Sequence, residues 1–176
     1  MLRSFEVLSV ENYIRKLARA IANATQGMSA EQLKQHPEGK WCAAEVLEHL
    51  YLTYRGTVKG LERCLTECRP LARAPKLQDR ISAAVVIGFG YMPGGRKAPE
   101  RSVPHGMATE EIVGAVGPEL KAMEDALLKC EEKFGAGTRI LDHPVLGPLT
   151  ARQWRKFHWV HGKHHVKQIW RLRERV

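Results

Sequence analysis

Four of the chain's eight histidines fall between residues 158 and 165. His161 and His165 are four residues apart, and on a helix that spacing sets two rings one turn apart on a single face. Two imidazoles so placed can reach one metal ion. Trp154 and Leu172 fall on the same face. A buried imidazole needs a hydrogen-bonding partner, and burial disfavours its charged form. A shared metal meets both demands. His158 lies three residues before His161 and offers an alternative member of the pair, whereas His164 points to the side, toward the surface or the layer behind the ligands. A further histidine, His49, sits at the border of another helix's apolar arc. Its neighbours there, Cys42, Glu45, Val46, Thr53 and Gly56, are mostly small and leave room above the ring.

Elements must position these groups. Pro144, Gly147 and Pro148 keep the segment before the histidines out of helix. Thr150 followed by Gln153 is a capping box, so the last helix is predicted to begin there. Upstream, an apolar stripe of Val10, Tyr13, Ile14, Leu17, Ile21 and Ala24 predicts a first helix over residues 9–25. Ser29 to Leu33 reads as a short capped turn. Leu47, Tyr51, Tyr54, Val58, Leu61 and Leu65 predict a second long helix from Trp41 to about Glu67. Residues 69–105 are punctuated by proline and glycine, with room for one short helix at 77–89 and then a long loop carrying Arg96, Lys97 and Arg101. Gly94 and Gly95 before Arg96 do not have the spacing of a phosphate-binding loop. A short helix from Thr109 is expected to stop near Gly117, and Pro118 to restart a third long helix over 118–134. The pattern contains no internal repeat and no convincing strand. Four long amphipathic helices with long connections predict an all-α four-helix bundle, a single domain over residues 1–176.

The bulk properties fit that reading. Hydrophobic content is 44% and charged content 27%, an ordinary globular balance rather than a disordered one. No apolar run approaches membrane-spanning length, and the first residues lack the form of a signal peptide, so no membrane association and a cytoplasmic location are expected. Cys42, Cys64, Cys68 and Cys130 lie within helical patterns without paired spacing, which predicts reduced thiols. The net charge of +9 raises nucleic acid as a partner, but its distribution argues against it. Residues 151–176 carry +7 and residues 106–134 carry −4, so a basic helix beside an acidic one is first a packing arrangement.

Two stretches carry a family resemblance. One is Gly39-Lys40-Trp41-Cys42-Ala43-Ala44-Glu45-Val46-Leu47-Glu48-His49-Leu50. The other runs from His143-Pro144 through Gly147, Leu149-Thr150 and Trp154 to His161-x3-His165-x-x-Gln168-Ile169. Together they resemble the DinB/YfiT-like proteins, with Cys42 where serine is usual and a longer 69–105 connection. The resemblance implies an up-down-down-up four-helix bundle and a divalent metal, often zinc or nickel, on three histidines. Carried over, these are His49, His161 and His165. It also implies homodimers and, in some members, transfer chemistry with low-molecular-weight thiols. On that basis a metal-dependent thiol S-transferase or hydrolase is expected. Glu45 is the expected acid/base group, Gln168 and His158 stand behind the ligands, and Arg96 and Lys97 contact substrate. The alternatives are a basic binding protein without catalysis and a structural bundle with a vestigial site. The last helix has a second apolar strip, Trp159, Val166 and Trp170, for which a homodimer contact or the 69–105 segment is the expected cover.

Overall fold

In chain order the elements are α1 (Leu2–Thr25), α2 (Ala30–Lys34), α3 (Ala43–Thr66), α4 (Leu77–Ala83), α5 (Thr109–Phe134), β1 (Arg139–His143), β2 (Gly147–Thr150) and α6 (Ala151–Arg173). A π-helical turn, Ala84–Gly88, continues α4, and a 3-10 turn, Glu100–Ser102, precedes α5. This is a computed structural model; it describes residues 2–92 and 97–174, with the backbone alone for 2–12. The capping box at the start of α6 forms: Thr150 Oγ1 accepts the Gln153 N–H at 3.3 Å, and Gln153 Oε1 accepts the Thr150 N–H at 3.0 Å. Ser29 and Gln32 cap α2 in the same way.

The long helices pair by direction. Tyr13 meets Trp159 and the Arg173 guanidinium reaches the Asn23 carbonyl, so α1 and α6 run together. Leu61 meets Cys130 and Leu65 meets Lys133, so α3 and α5 run together. His49 meets His161 and Thr57 meets His158, so α3 and α6 are opposed. The core they enclose includes Leu17, Leu50, Tyr54, Leu61, Leu120, Met123 and Leu127. The basic and acidic helices do meet, at one point: Arg155, wholly buried, donates to Glu124 at 2.8 Å and to Glu131 at 2.7 Å.

The expectation of a clean four-helix bundle is overturned. The described residues are mostly helical, but they form six α-helices and a two-stranded antiparallel sheet. Arg139 pairs with Thr150 and His143 with Gly147, with an irregularity between Arg139 and Leu141. A lone two-stranded ribbon is marginal in water; packing rescues this one. Ile140 and Leu149 are fully buried, Trp154 Nε1–H donates to the Leu141 carbonyl at 3.3 Å, and Leu71 N–H donates to the Ile140 carbonyl at 2.9 Å. Those partners are 13 or more residues distant, which is why local pattern reads this stretch as a lead-in loop. Gly147 takes φ of +69° at the end of the turn, the left-handed conformation that a three-residue hairpin loop places after its turn. An added Cβ there would collide with the Asp79 carboxyl.

Three further boundaries change. α1 begins at Leu2, not near residue 9, since no glycine or proline interrupts residues 2–8. α5 is one helix through Pro118 rather than two. The proline costs a hydrogen bond, but Ile112 and Val116 before it and Leu120 and Met123 after it are buried together on one side. α1 packs on part of the second apolar strip of α6. Trp159 lies 6.4 Å from the Tyr13 ring, and Gly162 packs so closely on Leu17 that an added Cβ would collide with it. Trp170, at the far end of the strip, stays 40% exposed beneath the Arg173 guanidinium.

The cysteines are free, as expected; Cys68 is exposed and the other three are buried. Among the described residues no helix is long and apolar enough to cross a membrane.

Candidate metal centre

His49 projects from the first turns of α3, and His161 and His165 project from the middle of α6. Their Nε2 atoms converge. His161 Nε2 lies 3.2 Å from His49 Nε2 and 3.1 Å from His165 Nε2. Around an ion bound at about 2.0–2.1 Å, tetrahedral nitrogen ligands stand roughly 3.3 Å apart, so the spacing already suits a shared cation.

The backs of the rings settle their tautomers. His49 Nδ1–H donates to the Ser102 carbonyl at 2.7 Å. His165 Nδ1–H donates to Gln168 Oε1 at 2.7 Å. Both partners are acceptors, so both rings hold their proton at Nδ1 and turn an Nε2 lone pair inward. His161 Nδ1 is buried without a partner. A single hydrogen on His161 Nε2 is all that this ring can offer the two lone pairs facing it. A cation serves all three nitrogens at once. The outer bonds are the orienting contacts that metal-ligating histidines usually carry.

All three rings are held neutral. Burial pushes His161 well below the ordinary histidine range, with the neighbouring His165 and His49 adding to it. Burial likewise takes His165 down to about 3. It lowers His49 too, against the opposing pull of the Ser102 carbonyl. The Trp41 ring packs on His49 at 5.2 Å and Phe157 stacks on His161 at 5.4 Å. The cluster opens on a cavity of about 1250 Å³.

Of the other expected site residues, Gln168 and Lys97 lie at the site, whereas Glu45 and His158 face elsewhere. Glu45 accepts the Cys42 N–H at 2.9 Å and lies 3.5 Å from His36 Nδ1. It closes the N-terminus of α3 and does not line the cavity, so the acid/base role expected of it lacks the geometry; its position three residues into the helix is the capping one. Gln168 is where the reading put it, behind His165, and its Nε2–H also donates to His164 Nε2 at 3.3 Å. His158 is fully buried and faces Thr57 instead of the cluster, 3.2 Å from Nε2 to Oγ1. The Thr57 hydroxyl spends its hydrogen on the Thr53 carbonyl, so His158 Nε2 carries the donor and is not free for a metal. Lys97 is exposed on the cavity wall, and Arg96 lies outside the described residues.

Glu48 was not singled out by the sequence. Its carboxylate is 2% exposed and accepts the backbone N–H groups of His105 at 2.8 Å and of Gly106 and Met107 at 3.1 Å each. It thereby straps the loop that carries Ser102 onto α3, one residue before His49. The only sequence signal was a glutamate among apolar residues of a buried helix face. Glu48→Gln keeps the shape but gives up the charge and turns an N–H₂ toward backbone donors. The expected loss is about 1–3 kcal/mol of stability. Faster amide exchange at residues 105–107 and a weaker hold on added zinc should accompany it; unchanged exchange there would show that the strap carries no load.

The model of the family described as "Protein of unknown function (DUF1569)" matches residues 11–171. The chain is 30% identical over 167 residues to a Bacillus subtilis (strain 168) protein named "Uncharacterized protein YuaE", an alignment covering 88% of this chain and 91% of that one. No solved structure matches.

Proposed function

We propose that this chain, which belongs to the DUF1569 family of proteins of unknown function, is a metal-dependent enzyme acting on a small molecule in the cavity beside His49, His161 and His165. The ion is divalent, zinc or nickel, and the reaction is a low-molecular-weight thiol S-transfer or a hydrolysis. One observation carries the reading: two rings locked with Nδ1–H outward meet a third with their Nε2 atoms 3.1 to 3.2 Å apart. The reaction class rests on the resemblance of the Trp41–His49 and His143–Gln168 stretches to DinB/YfiT-like proteins. A divalent ion on three imidazoles would keep a further position open, at which water or a thiol loses its proton near neutral pH. Ser102 and Gln168 fix the planes of two ligand rings, and Trp41 and Phe157 keep solvent from their faces. Lys97 and Arg101 stand on the cavity wall, where a substrate would pass.

Cobalt(II) in place of the native ion makes the site visible. Thiol addition should then produce sulfur-to-cobalt absorption in the near ultraviolet, absent from His161→Ala. A cobalt spectrum that responds to pH but to no thiol at millimolar concentration would remove the S-transferase branch and leave hydrolysis. A spectrum that responds to neither would remove the enzyme reading.

A further inference from the structure

His143 belongs to no part of the mechanism above, yet its tautomer is fixed with unusual economy. It ends β1, and its Nδ1 accepts two backbone N–H groups of the hairpin turn, from Val145 and Leu146, at 3.1 Å each. That nitrogen must therefore carry the lone pair, and the neutral ring's hydrogen sits on Nε2. The ring packs on Phe157 at 4.3 Å and on Trp154 at 5.6 Å, and it forms part of the cavity wall. Among the described residues no acceptor takes the Nε2–H. Burial, with the positive charge of Arg101 nearby, pushes the ring down to about 4, so at neutral pH it is an uncharged donor.

Arg101 lines the same cavity, and no carboxylate among the described residues pairs with it. Lys40, Lys97 and Arg171 add positive charge to the lining. The one acidic lining residue, Asp142, is already engaged: it accepts the Arg73 backbone N–H at 3.3 Å and lies 3.7 Å from Arg73 Nε. The chemistry left unanswered is thus donor upon donor, in a concave site of net positive potential. Phe157 packs on His143 at 4.3 Å and on His161 at 5.4 Å, and Ser102, the next residue after Arg101, holds His49 through its carbonyl, so the donor pair and the three-histidine cluster line one cavity.

We propose that Arg101 and His143 form an anion-binding subsite, which takes a carboxylate or phosphate group of a substrate whose reacting end lies at His49, His161 and His165. The placement of the reacting end rests on the function proposed above; the subsite itself does not need a metal.

The test is therefore made on the full chain stripped of metal by chelation. Titration calorimetry with succinate, inorganic phosphate and the neutral diamide succinamide should show at least one anion binding roughly tenfold or more tightly than the diamide, a difference of about 1.4 kcal/mol. Succinate ahead of phosphate identifies a carboxylate, and the reverse order a phosphate. Arg101→Gln, an exposed change that leaves the core alone, should lower the anion's affinity about tenfold, and His143→Phe, which keeps the ring packing, should lower it comparably. Lys167→Gln, exposed and outside the cavity, should leave it unchanged. Equal binding of anion and diamide, or no binding of either, overturns the subsite. So does an anion affinity indifferent to Arg101→Gln or to His143→Phe. Failure here with normal metal content leaves the metal centre standing; metal loss with intact anion preference does the reverse.

Discussion

Alanine in place of His49, His161 or His165 is expected to take the purified protein from about one equivalent of divalent metal per chain to almost none. Each ring supplies one of three converging nitrogens, and two ligands on one ion hold far less tightly than three. An ion on these rings would join α3 to α6, so it would bind the folded chain and stabilise it by mass action, by about 2.7 kcal/mol at a hundredfold excess over its dissociation constant. Added zinc should raise the melting temperature of the native protein and fail to raise that of the three variants. His158 is the internal control. Its Nε2–H is committed to Thr57, so His158→Phe should weaken the fold but leave metal content intact. Gln168→Ala should lower affinity by about 10–100-fold, since the carboxamide holds the His165 ring in its plane. Metal analysis decides the matter. If the native chain binds none and zinc leaves its melting temperature where it was, the three rings are a structural cluster and the enzyme reading falls with them.

The second large effect is acid lability of the metal-free chain. His158 and His165 are held at about 3 by burial, and His143 at about 4. In the unfolded chain a histidine takes its proton near 6.5. Between those values the unfolded state binds protons that the folded state refuses, so stability is at its full value above about pH 6.5 and falls as pH drops toward 3 to 4. Each such ring costs about 1.4 kcal/mol per pH unit. From 6.5 down to 5, His158 and His165 alone remove roughly 4 kcal/mol, a large share of a typical 5–15 kcal/mol. The half-buried Glu124, raised by its own desolvation, acts in the opposite sense and offsets part of the loss. Urea midpoints at pH 7.5 and pH 5 measure the loss. Equal midpoints would mean that the rings take up protons within the fold. Bound metal should flatten the same curve, because it occupies the lone pairs that protons would otherwise take.

The sequence by itself determined the local grammar of the site. Thr150 and Gln153 announced the start of α6, and four-residue spacing put His161 and His165 on one face, because caps and helical period act over a few residues. Small neighbours around His49 suggested room above its ring. What local pattern could not reach was decided by partners far along the chain. The hairpin of β1 and β2 exists because Leu71 and Trp154 receive it, and α5 runs through Pro118 because a continuous buried side outweighs one missing hydrogen bond. Trp159 meets Tyr13 of the same chain, a contact between distant helices that local pattern does not show. Glu45 looked chemical and proved to be a cap, while Glu48, one position from His49, became the strap for the 105–107 loop. The tautomers that turn lone pairs of His49 and His165 inward depend on the Ser102 carbonyl and the Gln168 carboxamide. A proton's place on an imidazole is set by what stands behind the ring, and only the tertiary structure brings Ser102 behind His49.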